Sequence, residues 1–174
     1  MGFDKFVKLN HLIWLSLSQN QLSLHFREPN ASRATFPKFQ CLILSSCNLS
    51  KFPADFLRNQ DELEFLDLSE NNLRGTVPEW MLNVGKASLE VISLGNNFLT
   101  GFGQQPILLS WTRLAILDPS SNLLQGSLPI PATSTLQYYV SNNSMTGNVP
   151  ELFCNLSSLQ VLDLAYNNLS GSLP

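Results

Sequence analysis

The chain has 174 residues, 44% of them apolar, and a formal net charge of −3. Its ten basic residues form no patch against thirteen acidic ones, so a nucleic-acid partner is not expected. No segment approaches the roughly 18 apolar residues of a membrane helix, and residues 1–6 contain no run long enough for the core of a signal peptide.

One phrase, L-x-x-L-x-L-x-x-N-x-L, recurs about seven times, first as Leu12, Leu15, Leu17, Asn20 and Leu22. Repeats of about 20–29 residues are typical of solenoids, in which each coil buries its apolar side against its neighbours. The polar position returns at intervals of 21 to 27 residues. We expect its side chains to tie neighbouring coils together, because an amide both donates and accepts hydrogen bonds. These ladder residues are Asn20, Cys47, Asn71, Asn97, Asn122, Asn143 and Asn167.

The L-x-L part of each phrase alternates as a short strand does, with leucines pointing inward. A second motif, L-x-G-x-[LV]-P, follows several copies, for example at Leu73–Pro78 and Leu124–Pro129. Its proline ends the extended piece, and short helical turns are expected near residues 78–82 and 151–156. We therefore predict one α/β domain over residues 1–174, without terminal caps. It is a right-handed solenoid with a concave parallel β-sheet and short 3-10 or helical turns on its convex side.

Two copies depart from the pattern. Pro119 replaces an inward leucine, and proline removes a backbone donor, so we expect the strand there to be shortened or broken. In the next copy the spacing from Leu136 to Asn143 is seven residues and not eight, which predicts a one-residue deletion or a bulge. Together these predict a weakened stretch near residues 117–141.

No set of residues points to chemistry. Cys41, Cys47 and Cys154 show no metal-binding spacing and are expected to be buried or half-buried thiols. His11 and His25 have no partner at catalytic spacing. The aspartates of the strands are expected to be solvated or bonded by neighbouring side chains. We predict no catalytic residue, no metal and no cofactor.

The concave face is the expected binding surface, because apolar and polar columns run side by side along it. The alternative is that these residues only support strand packing. The candidates are Trp14, Ser16, Phe65, Asp67, Val91, Ser93, Ile116, Asp118, Tyr139, Val161, Asp163 and Tyr166. Five N-x-S sequons are candidate glycosylation sites in a secreted chain, at Asn30, Asn48, Asn142, Asn155 and Asn168.

The combined motifs, with strings such as Leu66-Asp67-Leu68-Ser69 and Cys47-Asn48-Leu49-Ser50, resemble the plant extracellular subclass of leucine-rich repeats. They look like plant receptor-like proteins, which include disease-resistance receptors of tomato and other plants. The resemblance implies a non-catalytic recognition module at the outer face of the plasma membrane. It implies a peptide or protein ligand in defence or developmental signalling, and a partner receptor kinase. This chain resembles an interior run of such repeats, a fragment or a truncated gene product.

Other origins remain open at this point. The repeats also suit the ectodomain of a leucine-rich-repeat receptor kinase, which a downstream kinase sequence would identify. They suit a secreted protein resembling polygalacturonase inhibitors, which would carry two caps. A truncated product without a function is a further alternative, since uncapped ends of a repeat stack are apolar.

Overall fold

A computed structural model describes residues 6, 8–20, 22, 24, 36–103 and 108–173. Within these ranges the chain winds into stacked coils, each with a three-residue strand on one side. The strands are β1 (Trp14–Ser16), β2 (Cys41–Ile43), β3 (Phe65–Asp67), β4 (Arg74–Thr76), β5 (Val91–Ser93), β6 (Phe98–Gly101), β7 (Ile116–Asp118), β8 (Gln125–Gly126), β9 (Gln137–Tyr139), β10 (Ser144–Gly147), β11 (Val161–Asp163) and β12 (Asn168–Leu169).

The main sheet of the described chain is parallel and runs in the order β1-β2-β3-β5-β7-β9-β11. The intervening strands, which carry the second sequence motif, form shorter parallel sheets in the orders β4-β6 and β8-β10-β12. The opposite side of the coils holds a helix, α1 (Ala54–Leu57), and two 3-10 helices, Glu79–Asn83 and Glu151–Asn155. The predicted solenoid, with short helical turns opposite a parallel sheet, is confirmed.

The core is a rod of leucines between the main sheet and these turns. The middle residue of each main strand points into it, and Leu42, Leu66, Ile92 and Leu117 are all fully buried. Leu162, on the last strand of the main sheet, is 41% exposed because only one neighbouring coil covers it. Each coil therefore depends on the coils on either side for the burial of its apolar residues.

The prediction of a shortened or broken strand at Pro119 is wrong. Strand β7 has three residues like the other main strands, and Pro119 lies directly after it. In other coils, the residue directly after the main strand donates its backbone N–H to the next coil. Leu94, for example, donates to the Asp118 carbonyl at 2.8 Å. Pro119 has no backbone N–H, so this one hydrogen bond is lost. Ile116 and Leu117 of β7 pair with β9, whereas Asp118 does not.

The predicted one-residue deletion in the following copy is also wrong. Tyr138 occupies the inward strand position, five residues before Asn143, which is the spacing of Leu66 to Asn71. Thr135 takes the first apolar position of the phrase and is fully buried, whereas Leu136 is half-buried. Strand β9 pairs in register with β11 over all three residues. The weakened stretch predicted from the two departures thus loses its structural basis.

The cysteines follow the prediction only in part. Cys41 and Cys47 are buried, but Cys154 is exposed. Cys154 lies in the 3-10 helix Glu151–Asn155, in which Phe153 turns inward to the core. Because adjacent residues of such a turn face different directions, the inward placement of Phe153 leaves Cys154 facing solvent.

Candidate functional site

The concave face is built by the first and third residues of every main strand, since the second residue points into the core. The in-register pairing lines up the first residues as one column and the third residues as another. The first column comprises Trp14, Cys41, Phe65, Val91, Ile116, Gln137 and Val161. The third-residue column comprises Ser16, Ile43, Asp67, Ser93, Asp118, Tyr139 and Asp163.

Eleven of the twelve predicted concave residues fall in these two columns. The exception is Tyr166, which lies in the turn after β11 and is 85% exposed. That turn position precedes the ladder residue and has φ of 53–55° in every coil, so its side chain leaves the strand face. Gln137 was not predicted because the deletion wrongly inferred from Leu136 shifted the alignment of this repeat, so no residue was assigned to the first strand position. The constant spacing of five residues from Tyr138 to Asn143 was the signal that could have found it.

A pocket of about 200 Å³ opens at the first three coils and is lined by Trp14, Gln40, Cys41, Ile43, Glu64 and Phe65. Trp14 is 64% exposed although it is the largest side chain there. Gln40 and Glu64 were not among the predicted residues, because they directly precede the strands and carry no motif. Burial, and secondarily the negative charge of Asp67, raises the pKa of the Cys41 thiol, so the pocket contains a neutral thiol at pH 7.

The aspartates that end the main strands accept hydrogen bonds from the turn that follows each strand. Asp67 Oδ1 accepts hydrogen bonds from the backbone N–H and the hydroxyl of Ser69, at 2.9 and 2.6 Å. Asp118 Oδ1 accepts from the backbone N–H of Ser120 at 3.0 Å. Asp163 does the same with Ala165 at 3.1 Å. The side-chain hydrogen bonds hold each carboxylate in a fixed orientation on the concave face.

The ladder residues join neighbouring coils through their amides. In Asn97, Oδ1 accepts from the backbone N–H of Leu73 at 3.0 Å, and Nδ2 donates to the Leu68 carbonyl at 3.0 Å. Asn71, Asn122, Asn143 and Asn167 repeat both contacts with their own preceding coils. Asn20 bonds the carbonyls of its own turn, and Cys47 places its Sγ 3.4 Å from the Leu17 carbonyl.

The remaining predicted positions do not converge on a reactive centre. His11 is exposed, while His25 and the sequon residue Asn30 lie outside the described residues. The other sequon asparagines, Asn48, Asn142, Asn155 and Asn168, are exposed. Among the residues that the structure describes, no cluster of three His, Cys, Asp or Glu side chains could hold a metal ion. In the same ranges, none of the helices is long and apolar enough to cross a bilayer.

Comparison with known proteins identifies the repeats. The Leucine Rich Repeat family model matches residues 62–84 and 158–174. Receptor-like protein 7 of Arabidopsis thaliana is 42% identical over 140 residues, which covers 80% of this chain and 14% of that protein. Receptor-like protein 6 of the same plant is 37% identical over 174 residues, which covers 100% of this chain and 17% of that protein. The chain belongs to the leucine-rich-repeat receptor-like proteins of plants.

Solved structures agree with this assignment. The Arabidopsis receptor kinase HAESA, in complex with the peptide hormone IDA and the co-receptor SERK1, matches with a TM-score of 0.74 at 27% identity. That match covers 98% of this leucine-rich-repeat chain and 32% of HAESA. The ectodomain of the Arabidopsis receptor kinase SOBIR1 matches with a TM-score of 0.60 at 29% identity, over 73% of this chain and 71% of that one. The chain spans less than a fifth of the length of the receptor-like proteins it matches.

Proposed function

We propose that this chain is a non-catalytic recognition module whose concave sheet binds a peptide or protein ligand. The observation that carries the proposal is the pair of aligned columns, one largely apolar and one largely polar, on an open sheet face. Trp14 is 64% exposed there, and Phe65, Val91, Ile116 and Val161 are only half-buried. Side chains held at fixed spacing on a rigid sheet bind with little loss of conformational entropy.

The parent receptor, in this proposal, stands at the plasma membrane with the repeats outside the cell. In this proposal, ligand binding is passed on to a partner receptor kinase, in defence or developmental signalling. HAESA supports the scheme by resemblance, since that receptor kinase is solved in complex with a peptide hormone and a co-receptor. We also propose that the exposed sequon asparagines carry glycans; these are Asn48, Asn142, Asn155 and Asn168.

The test is a selection of random dodecapeptides on phage against the 174-residue chain, followed by binding measurements with the enriched peptides. Ser93→Arg places a bulky side chain at the centre of the concave face. Ser158→Arg is the matched control, since Ser158 is exposed in a turn outside the sheets. We expect Ser93→Arg to abolish binding and Ser158→Arg to preserve it. Equal binding by both variants, with unchanged circular dichroism, would overturn the proposal.

A further inference from the structure

Two carboxylates flank a notch in the middle of the concave face. Ser93 pairs in register with Asp67 on one side and with Asp118 on the other. The two aspartates are therefore two strand spacings apart, about 10 Å. Behind Ser93 lies Gly95, where an added Cβ would meet Ser120 Oγ at 3.4 Å and Asp118 Oδ1 at 3.7 Å. Because Ser93 is small and Gly95 has no Cβ, this coil places no bulky side chain between the two carboxylates.

The charge of this notch is not neutralised within the described chain. Hydrogen bonds to Asp67 and Asp118 from described residues end on Oδ1, which leaves the second oxygen of each carboxylate available. The ion pairs among the described residues join Lys38 to Asp61 and Arg113 to Glu90, away from the notch. A cationic side chain of a ligand is the electrostatic complement of such a site.

The pocket lined by Trp14, Cys41, Ile43 and Phe65 lies at a fixed distance from the notch. It centres on β2, and Ser93 lies on β5, two strands further along the sheet. That separation is again about 10 Å along the stack. An extended peptide in the polyproline II conformation rises about 3.1 Å per residue with three residues per turn. Its side chains at positions i and i+3 therefore share one face about 9 Å apart, which matches the separation along the stack. The long side chain of an Arg or Lys spans the additional offset of about 7 Å between the first and third residues of a strand.

We propose, resting on the concave-face binding proposed above, that the ligand is an extended cationic peptide. One aromatic or large aliphatic side chain enters the pocket beside Trp14 and Phe65. An Arg or Lys three residues away enters the notch between Asp67 and Asp118. Ser93 at the centre of the notch and the neutral Cys41 thiol in the pocket carry no charge that would repel this ligand.

The enriched peptides of the phage selection supply the probe. We expect them to carry an Arg or Lys three residues from an apolar side chain, in either direction. One such peptide, fluorescently labelled, is then titrated against the Asp67→Asn/Asp118→Asn variant. Asparagine keeps an oxygen acceptor for Ser69 and Ser120 and removes only the charge. Asp163→Asn is the matched control, because Asp163 lies in the same column and likewise accepts a hydrogen bond from the backbone N–H two residues later.

The expected result is at least about a tenfold loss of affinity for the double variant, with an affinity for Asp163→Asn equal to that of the unmodified chain. Raising the salt concentration should weaken binding to the unmodified chain more than binding to the double variant. If neutral or acidic peptides bind, and Ser93→Arg abolishes their binding while Asp67→Asn/Asp118→Asn does not, the cationic specificity is overturned and concave-face binding stands. If Ser93→Arg has no effect on any selected peptide, both proposals are overturned.

Discussion

Asn71 accepts a hydrogen bond from the backbone N–H of Cys47 at 3.1 Å, and so links two consecutive coils. The same Oδ1 accepts from the N–H of Leu49 at 2.9 Å, while Nδ2 donates to the Leu44 carbonyl of that coil at 2.8 Å. Asn71 is buried, so these backbone groups have no ready replacement by water. The ladder is therefore a chain of polar contacts inside an otherwise apolar rod.

Replacing Asn71 by Ala should lower the free energy of unfolding by about 3 kcal/mol, because buried donors lose their partner. Urea denaturation followed by circular dichroism measures this. Asn20→Ala is the control, since Asn20 is exposed and its amide donates to carbonyls of its own turn. We expect this control to cost less than about 1 kcal/mol. Equal losses for the two variants would contradict a role of burial in the ladder.

Cys47→Asn should stabilise the chain by about 1 kcal/mol. In the other coils the ladder Oδ1 accepts from the backbone N–H two residues after the preceding ladder position, as Asn71 does from Leu49. For an asparagine at position 47 the corresponding donor is the N–H of Leu22. The midpoint of urea denaturation should rise for Cys47→Asn and stay unchanged for the exposed-thiol control Cys154→Ser. A lower midpoint for Cys47→Asn would show that this site does not accommodate an amide.

Thr135→Val should raise the free energy of unfolding by about 1 kcal/mol. Thr135 is fully buried, and its hydroxyl has no hydrogen-bond partner among the described residues. Valine has nearly the same shape and removes the cost of burying that hydroxyl. Thr112→Val is the control, because Thr112 is exposed and its hydroxyl donates to the Lys86 carbonyl at 3.3 Å. If both variants shift the thermal midpoint alike, burial of the Thr135 hydroxyl is not the cause.

Alkylation should distinguish the three thiols. Cys154 is exposed, whereas Cys41 and Cys47 are buried. Burial, followed by the charge of Asp67, raises the pKa of both buried thiols, so less of the reactive thiolate forms at a given pH. At pH 8 iodoacetamide should modify Cys154 first, and all three residues should react alike in urea. Peptide mass spectrometry measures the order, and early modification of Cys41 would contradict the described packing.

The repeat spacing alone predicted the solenoid, the direction of the leucines and the two concave columns, because the strand period and the coil length are both local properties of the sequence. The prediction failed in the repeat of β9, where a leucine in the wrong position was taken as the start of the phrase. Leu136 looks like the first leucine of its phrase, but Thr135 and Tyr138 point inward instead. The large ring of Tyr138 is tolerated because its hydroxyl reaches the Pro129 carbonyl at 3.2 Å.

Pro119 and Cys154 show two further limits of prediction from sequence. Proline was expected to shorten or break a strand, yet the strand ends one residue before Pro119, so only one backbone donor is lost. The exposure of Cys154 depends on the rotation of a five-residue turn about Phe153, which no strand or helix period specifies. The notch beside Ser93 likewise depends on residues from three strands and from Gly95, whose proximity follows from the stacking and not from any one repeat.

The ladder has a consequence for how such a protein changes over time. Because the side-chain amides of the ladder contact only their own turn and the coil before it, a substitution on one concave strand leaves coils further away undisturbed. Recognition of a new molecule can thus be acquired by substitutions in one coil at a time, while the other coils keep their structure.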